Sequence, residues 1–95
     1  MKRDWGPAIA KCVEEGACRM CGSCENVDPA HIIPRSRGGD MHPDGIIPLC
    51  RFHHTLYDSH ALEILPRLTL VEQAHAVALV GVEEVRRRTT VERAA

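Results

Sequence analysis

The spacing of apolar residues changes several times along this chain, and each change marks an element. Ile9 and Val13 stand four apart on one helical face, with Pro7 at an early turn position and Gly16 behind them. A short helix over 7–15 is predicted. Residues 17–24 have no periodicity and are dense in Cys and Gly. Residues 26–33 read as extended and close on Ile32-Ile33 before Pro34, which disfavours helix at the residue it follows. Three glycines and two prolines make 34–45 a loop. Ile46-Ile47-Pro48-Leu49 is a short apolar run suited to a second strand, paired with the first as a hairpin. Helix follows over about 51–59.

Residues 60–68 connect to a final helix over about 70–88. Thr69 is placed to cap it, and Leu70, Ala74, Val77, Ala78 and Val85 recur at helical spacing. Gly81 lies inside that pattern and weakens it modestly. His75 reads as a structural histidine. No repeat, low-complexity tract or linker divides the chain, so 1–95 is expected to form one domain. Strands between helices give a small α+β fold with an N-terminal and a C-terminal helix.

Ninety-five residues bury only a small core, and Trp5, Phe52 and Tyr57 are the only large aromatics. A structural zinc, contributing on the order of 10 kcal/mol to a folded state, would strengthen so thin a core. The five cysteines follow an N-terminus without the apolar stretch of a secretory signal, and no apolar run is long enough to span a bilayer. A cytoplasmic protein with reduced thiolates on metal is expected, rather than a disulfide scaffold. The net charge of −1 does not announce a nucleic-acid binder. Arginines nevertheless cluster at Arg35 and Arg37 and at Arg86-Arg87-Arg88, while the acids lie elsewhere. The second cluster reads equally well as a solvated helix end set against the helix dipole.

Cys18-Arg-Met-Cys21 and Cys50-Arg-Phe-His53 are dyads of identical spacing, and together they supply the four ligands of a tetrahedral zinc. Cys50 and His53, three apart at a helix start, share a face. Cys21-Gly-Ser-Cys24 offers a second C-x-x-C register; the Cys18 pair leaves Gly22 in the turn directly after the knuckle. Cys12 reads as a small buried side chain. A redox role for the C-x-x-C pairs would call for a βαβ pattern, and none surrounds them. His31 and His54 stay outside the zinc set and are free for phosphate chemistry.

Three motifs in order, Cys18-Arg-Met-Cys-Gly22, His31-Ile-Ile-Pro-Arg-Ser-Arg-Gly-Gly39 and Leu49-Cys-Arg-Phe-His-His54, resemble the HNH endonuclease family over about 18–58. The resemblance implies a zinc-stabilised ββα-metal finger, a hairpin and a helix gripping one divalent ion, that cleaves DNA phosphodiesters. His31 would accept the proton of the attacking water near pH 7. His54 would ligate a catalytic Mg²⁺, Mn²⁺, Ni²⁺ or Zn²⁺, with Asp28, Asp44 and Asp58 as candidate further ligands. Asp58 lies one helical turn beyond His54 and faces the same way. Arg35, Arg37 and Arg51 would contact DNA phosphates, and Gly38-Gly39 would let the loop approach the nucleic-acid backbone. The resemblance suggests phage DNA packaging or restriction, with protein partners supplying the specificity for which so small a domain has little surface.

Two positions depart from the family pattern. Ala30 stands where many members carry a metal-binding Asp or His, with Asp28 two residues earlier as the nearest substitute. Gly45 stands where the family carries an Asn that orients loop and base. These departures support an alternative: a catalytically impaired, zinc-stabilised DNA- or protein-binding module of HNH descent. The final helix could pack on its own core or on a second copy, so the oligomeric state stays open.

Overall fold

The computed structural model of the protein describes residues 5–91. In chain order it contains α1 (Gly6–Glu15), β1 (Val27–His31), β2 (Ile46–Cys50), α2 (Arg51–Asp58), α3 (Leu70–Val80) and α4 (Val82–Thr89). Short 3₁₀ turns occupy Arg35–Arg37, Pro43–Gly45 and Leu65–Arg67. The expected α+β fold is present: strand, loop, strand and helix follow one another between flanking helices.

β1 and β2 pair antiparallel, from Val27 opposite Cys50 to His31 opposite Ile46. Alternation along β2 sends its side chains to two different cores. Ile46 packs with Ala8 and Cys12 of α1 and with Trp5. Ile47 and Leu49 join Ile32, Tyr57, Ile64, Ala76 and Val85 in the larger core. Every residue of β2 is buried, because helices cover both faces of this two-stranded sheet. Beyond β1 the Ile32 N–H still donates to the Gly45 carbonyl, and the Tyr57 hydroxyl donates to the Ile32 carbonyl.

The connecting loop folds back on itself. The Gly39 N–H donates to the Pro34 carbonyl, and a Cβ at Gly39 would lie 1.8 Å from the Ile33 carbonyl oxygen. Glycine is thus required there for the approach of the loop to its own backbone, a different role from the expected approach to nucleic acid.

The helix expected over 70–88 is two helices. Gly81 adopts φ 87° and ψ 160°, a region open essentially only to glycine, and turns the chain between α3 and α4. The Thr69 cap is present, as a full capping box: its hydroxyl accepts from the Glu72 N–H, and its own N–H donates to the Glu72 carboxylate. The buried faces differ in part from those the apolar pattern picks out: Val85 is buried and Val77 packs against the core, but other positions turn outward. Helix α1 buries Ala8 and Cys12, one position round from the exposed Ile9 and Val13. Helix α3 buries Glu72 and Ala76, while Leu70 is 82% exposed and Ala74 and Ala78 face solvent.

A single carboxylate causes both shifts. Glu72, only 2% exposed, receives Lys11 Nζ at 2.6 Å and Arg19 Nη1 at 2.7 Å. Lys11 Nζ also donates to the Pro43 and Ile46 carbonyls. Turning Lys11 and Glu72 toward each other turns Ile9, Val13 and Leu70 outward. Burial opposes the charge on Glu72, but the Arg19, Lys11 and Thr69 donors outweigh it and lower its pKa to about 2. No helix among the described residues is long and apolar enough to cross a membrane.

A candidate metal centre beside a candidate active site

The knuckle between α1 and β1 is a tight turn: the Gly22 N–H donates to the Cys18 carbonyl, and the Cys18 N–H donates to the Ser23 carbonyl. The Arg19 N–H donates to the Pro48 carbonyl and so pins the knuckle to β2. Cys50 ends β2 and caps α2, and His53 follows within the first turn of α2. These constraints bring Cys18, Cys21, Cys50 and His53 together with ligand atoms all within 4.8 Å of one another. Cys21 and Cys50 sulfurs lie 3.9 Å apart, and His53 Nδ1 lies 3.2 Å from Cys50 Sγ and 3.7 Å from Cys18 Sγ. A tetrahedral zinc holds two sulfurs about 3.8 Å apart, and a sulfur and a nitrogen about 3.6 Å apart. The four residues have the geometry to hold such an ion, in the ligand set expected from the two dyads. Cys24 is exposed and lies outside the cluster.

The thiols carry the electrostatic mark of this crowding. At Cys18 burial opposes the thiolate, but backbone hydrogen bonds from Cys50, Cys21 and Met20 prevail and lower the pKa. At Cys21 the Ser23 backbone favours the thiolate, yet desolvation and the adjacent Cys18 and Cys50 raise the pKa. A bound dication would offset that mutual repulsion.

On the other side of α2, His54 is flanked by two carboxylates. Its Nδ1 lies 3.7 Å from Asp28 Oδ2, and its Nε2 lies 3.7 Å from Asp58 Oδ2. Asp28 reaches His54 from β1, while Ala30, two residues on along the same strand face, is buried in the core. The carboxylates sit at opposite edges of one imidazole, so each edge offers a two-ligand pair. Divalent ions that keep several waters and take further oxygens from substrate phosphates bind through as few as one or two carboxylates, so the donor set fits such an ion. Among the described residues, three or more such ligand atoms converge only in the Cys₃His cluster. Asp44 does not join His54: its carboxylate lies 3.7 Å from His42 Nδ1. Arg35 and Arg37 are exposed on the 3₁₀ turn of the loop, and Arg51 Nε lies 3.6 Å from the carboxylate of Asp28.

His31 ends β1. Its Nε2 is buried without a hydrogen-bond partner, and the Trp5 ring packs edge-on against it at 5.1 Å. Burial lowers the pKa of His31; the Asp40 carboxylate opposes that effect and the His54 imidazole reinforces it. The net effect favours the neutral ring. His75, expected as a structural histidine, stacks on His42 at 4.5 Å, and its Nε2 meets both oxygens of Asp40 at 3.1 and 3.2 Å. Asp40 and His75 fill the space over Gly45: a Cβ there would stand 3.0 Å from Asp40 Oδ1. Glycine at 45 thus makes room for a carboxylate brought in by the loop. Nothing in the local spacing pairs Asp40 with His75, since they lie 35 positions apart.

No protein-family model, curated protein or solved structure matches the chain.

Proposed function

We propose that the protein is a metal-dependent DNA endonuclease of HNH type, a ββα finger stabilised by one zinc at Cys18, Cys21, Cys50 and His53. The observation that carries this reading is the flanking of His54 by the Asp28 and Asp58 carboxylates, beside a hairpin whose first strand closes on His31. His31 is suited to proton abstraction. Burial lowers the pKa of the ring and so favours its unprotonated form. With Nε2 sealed in the interior, Nδ1 is the nitrogen that takes a proton from water. A divalent ion at His54 would polarise the scissile phosphate and stabilise the leaving oxygen. Asp28 or Asp58 would share that ion, and Arg35, Arg37 and Arg51 would position the strand through its phosphates.

Supercoiled plasmid incubated with the zinc-loaded protein and Mg²⁺, Mn²⁺ or Ni²⁺ tests the reading. Nicking by the wild type and its loss in His31→Ala are expected; nicking that survives His31→Ala overturns the base assignment. Asp28→Ala and Asp58→Ala then show which edge of His54 holds the ion, since the variant on the unused edge keeps its activity. A second reading, the catalytically impaired binding module, is favoured by Ala30, whose buried methyl offers no ligand atom beside His31. DNA binding without cleavage under every ion decides for it.

A further inference from the structure

The 3₁₀ turn at Arg35–Arg37, the end of α2 and the face of α4 enclose a cavity of about 430 Å³, lined by Ser36, Arg37, Asp58, His60, Arg87 and Arg88. Arg88 forms its back wall and is only 8% exposed. Its guanidinium lies over the Tyr57 ring, with Cζ 4.1 Å from the centroid, and Nη2 donates to the Tyr57 carbonyl. Its Nε is buried with no partner, and no carboxylate pairs with it among the described residues. A buried cation without a counter-charge is unfavourable unless something supplies one. Arg37, exposed on the facing turn, has no ion pair among the described residues either. Arg87 is engaged by Glu84 at 2.8 Å. All three arginines line the cavity, and together they hold the nearby Glu84 carboxyl below its usual range.

Asp58 gives the cavity its address. It lines the wall and lies 3.7 Å from His54 Nε2, so whatever fills the cavity lies against the candidate active site. We propose that this cavity is a phosphate subsite for the DNA strand that runs past His54, with Arg37 and Arg88 supplying the charge and Ser36 a hydroxyl donor. This rests on the nuclease reading and adds to it a second anchoring point on α4, outside the motif region. The solvated face expected at Arg86–Arg88 is then divided: Arg88 turns inward to the subsite, and Arg86 stays outside it.

The test measures binding alone. Affinity of the zinc-loaded protein for a short fluorescent DNA duplex, without added Mg²⁺, is followed by anisotropy across roughly 50–200 mM KCl. Arg37→Gln and Arg88→Gln, which remove the two proposed phosphate contacts, are expected to weaken binding. Each lost phosphate contact should flatten the plot of log K against log salt by about 0.9. Arg88→Lys keeps the charge and should keep the slope, which separates subsite loss from misfolding. Arg67→Gln removes the same charge from an exposed position outside the cavity and should leave the slope unchanged.

A wild-type slope in both Arg37→Gln and Arg88→Gln overturns the inference, as does a wild type with no affinity for duplex. Inorganic phosphate, followed through the Arg37 and Arg88 Nε–H resonances at constant ionic strength, distinguishes a free anion from a strand. Shifts with phosphate but no slope change on DNA place an ion alone in the cavity and also overturn it. A protein that never cuts DNA can pass this test, and an active nuclease can fail it, so the two readings fall separately.

Discussion

Two buried polar centres lie side by side in this small domain, joined at adjacent residues: Cys18 belongs to one and Arg19 to the other. The Cys₃His cluster ties the knuckle to the end of the hairpin and the start of α2. The Glu72 centre ties the same knuckle to α1, α3 and the turn at Pro43. They differ in where their balancing charge comes from. The cluster gathers donors of one kind, which crowd one another until a cation joins them. The Glu72 centre is complete within the chain: Glu72 is set against Lys11 and Arg19, and Arg19 is shared with Glu15. The cluster would take its balancing charge from a bound cation, whereas the Glu72 centre has its own within the chain.

Metal removal should break that comparison most sharply. Stripping zinc, or Cys50→Ser, is expected to remove on the order of 10 kcal/mol. The hairpin–helix unit would be lost with it, since Cys50 joins the candidate metal cluster at the junction of β2 and α2. Thermal unfolding with and without a strong chelator, beside a metal count per chain, measures this. A chelated protein melting at the same temperature as the loaded one would show that the cluster holds nothing that matters. Glu72→Ala should come next, at no more than about 3–5 kcal/mol, because it leaves the partly buried Lys11 without a counter-charge and Arg19 with Glu15 alone. Urea unfolding of the loaded protein reads that cost. A value under about 1 kcal/mol would mean that the centre behaves as a surface ion pair.

The two centres also differ in how far they can be read from the chain. The cluster is legible because its ligands come as two dyads of fixed spacing, and a metal with strict geometry has few ways to use them. The hairpin and α2 follow from the same residues. Glu72 is not legible: its partners lie 61 and 53 positions away, and a carboxylate at a helix start reads as a capping residue. It is one, but the same carboxylate is also the buried centre of the α1–α3 contact. Apolar spacing therefore chose Ile9, Val13 and Leu70 where the fold buries Ala8, Cys12 and Ala76. Gly81 is a milder case of the same limit. A lone glycine in a helical pattern costs only about 1 kcal/mol as helix, so its left-handed turn shows only once α4 packs back against Tyr57. At the candidate active site the motifs single out His31 and His54, and spacing from them adds Asp28 and Asp58, whereas the Asp40–His75 pair and the inward turn of Arg88 come from tertiary contacts alone.

A pH series separates the centres without removing either. The folded pKa of Glu72, about 2, lies below the ordinary glutamate value of 4.5. Its contribution is therefore fully present above about pH 4.5 and is lost as pH falls toward 2. The whole span amounts to about 3 kcal/mol. Acid also protonates the zinc ligands, so the quantity to follow is the stability difference between wild type and Glu72→Gln, from which that shared loss cancels. The difference should be constant above pH 5 and shrink steadily below it. A difference that stays flat to pH 3 would show that the ion pairs contribute no charge-dependent stability.

Thr69→Ala is the smallest perturbation and resolves what holds Glu72 in place. The Thr69 hydroxyl accepts from the Glu72 N–H at 3.1 Å, and the Thr69 N–H donates to Glu72 Oε1 at 2.8 Å. The substitution deletes the first bond and keeps the second, so a loss of about 1 kcal/mol is expected, with Thr69→Ser close to wild type. The informative number is the coupling to Glu72→Gln in a double-mutant cycle. If the cap merely starts α3, the two losses add. If it also aims the carboxylate at Lys11 and Arg19, the pair falls short of additivity by more than about 0.5 kcal/mol. Thr69→Ala alone costing as much as Glu72→Ala would make the helix start, rather than the ion pairs, the source of the centre's stability.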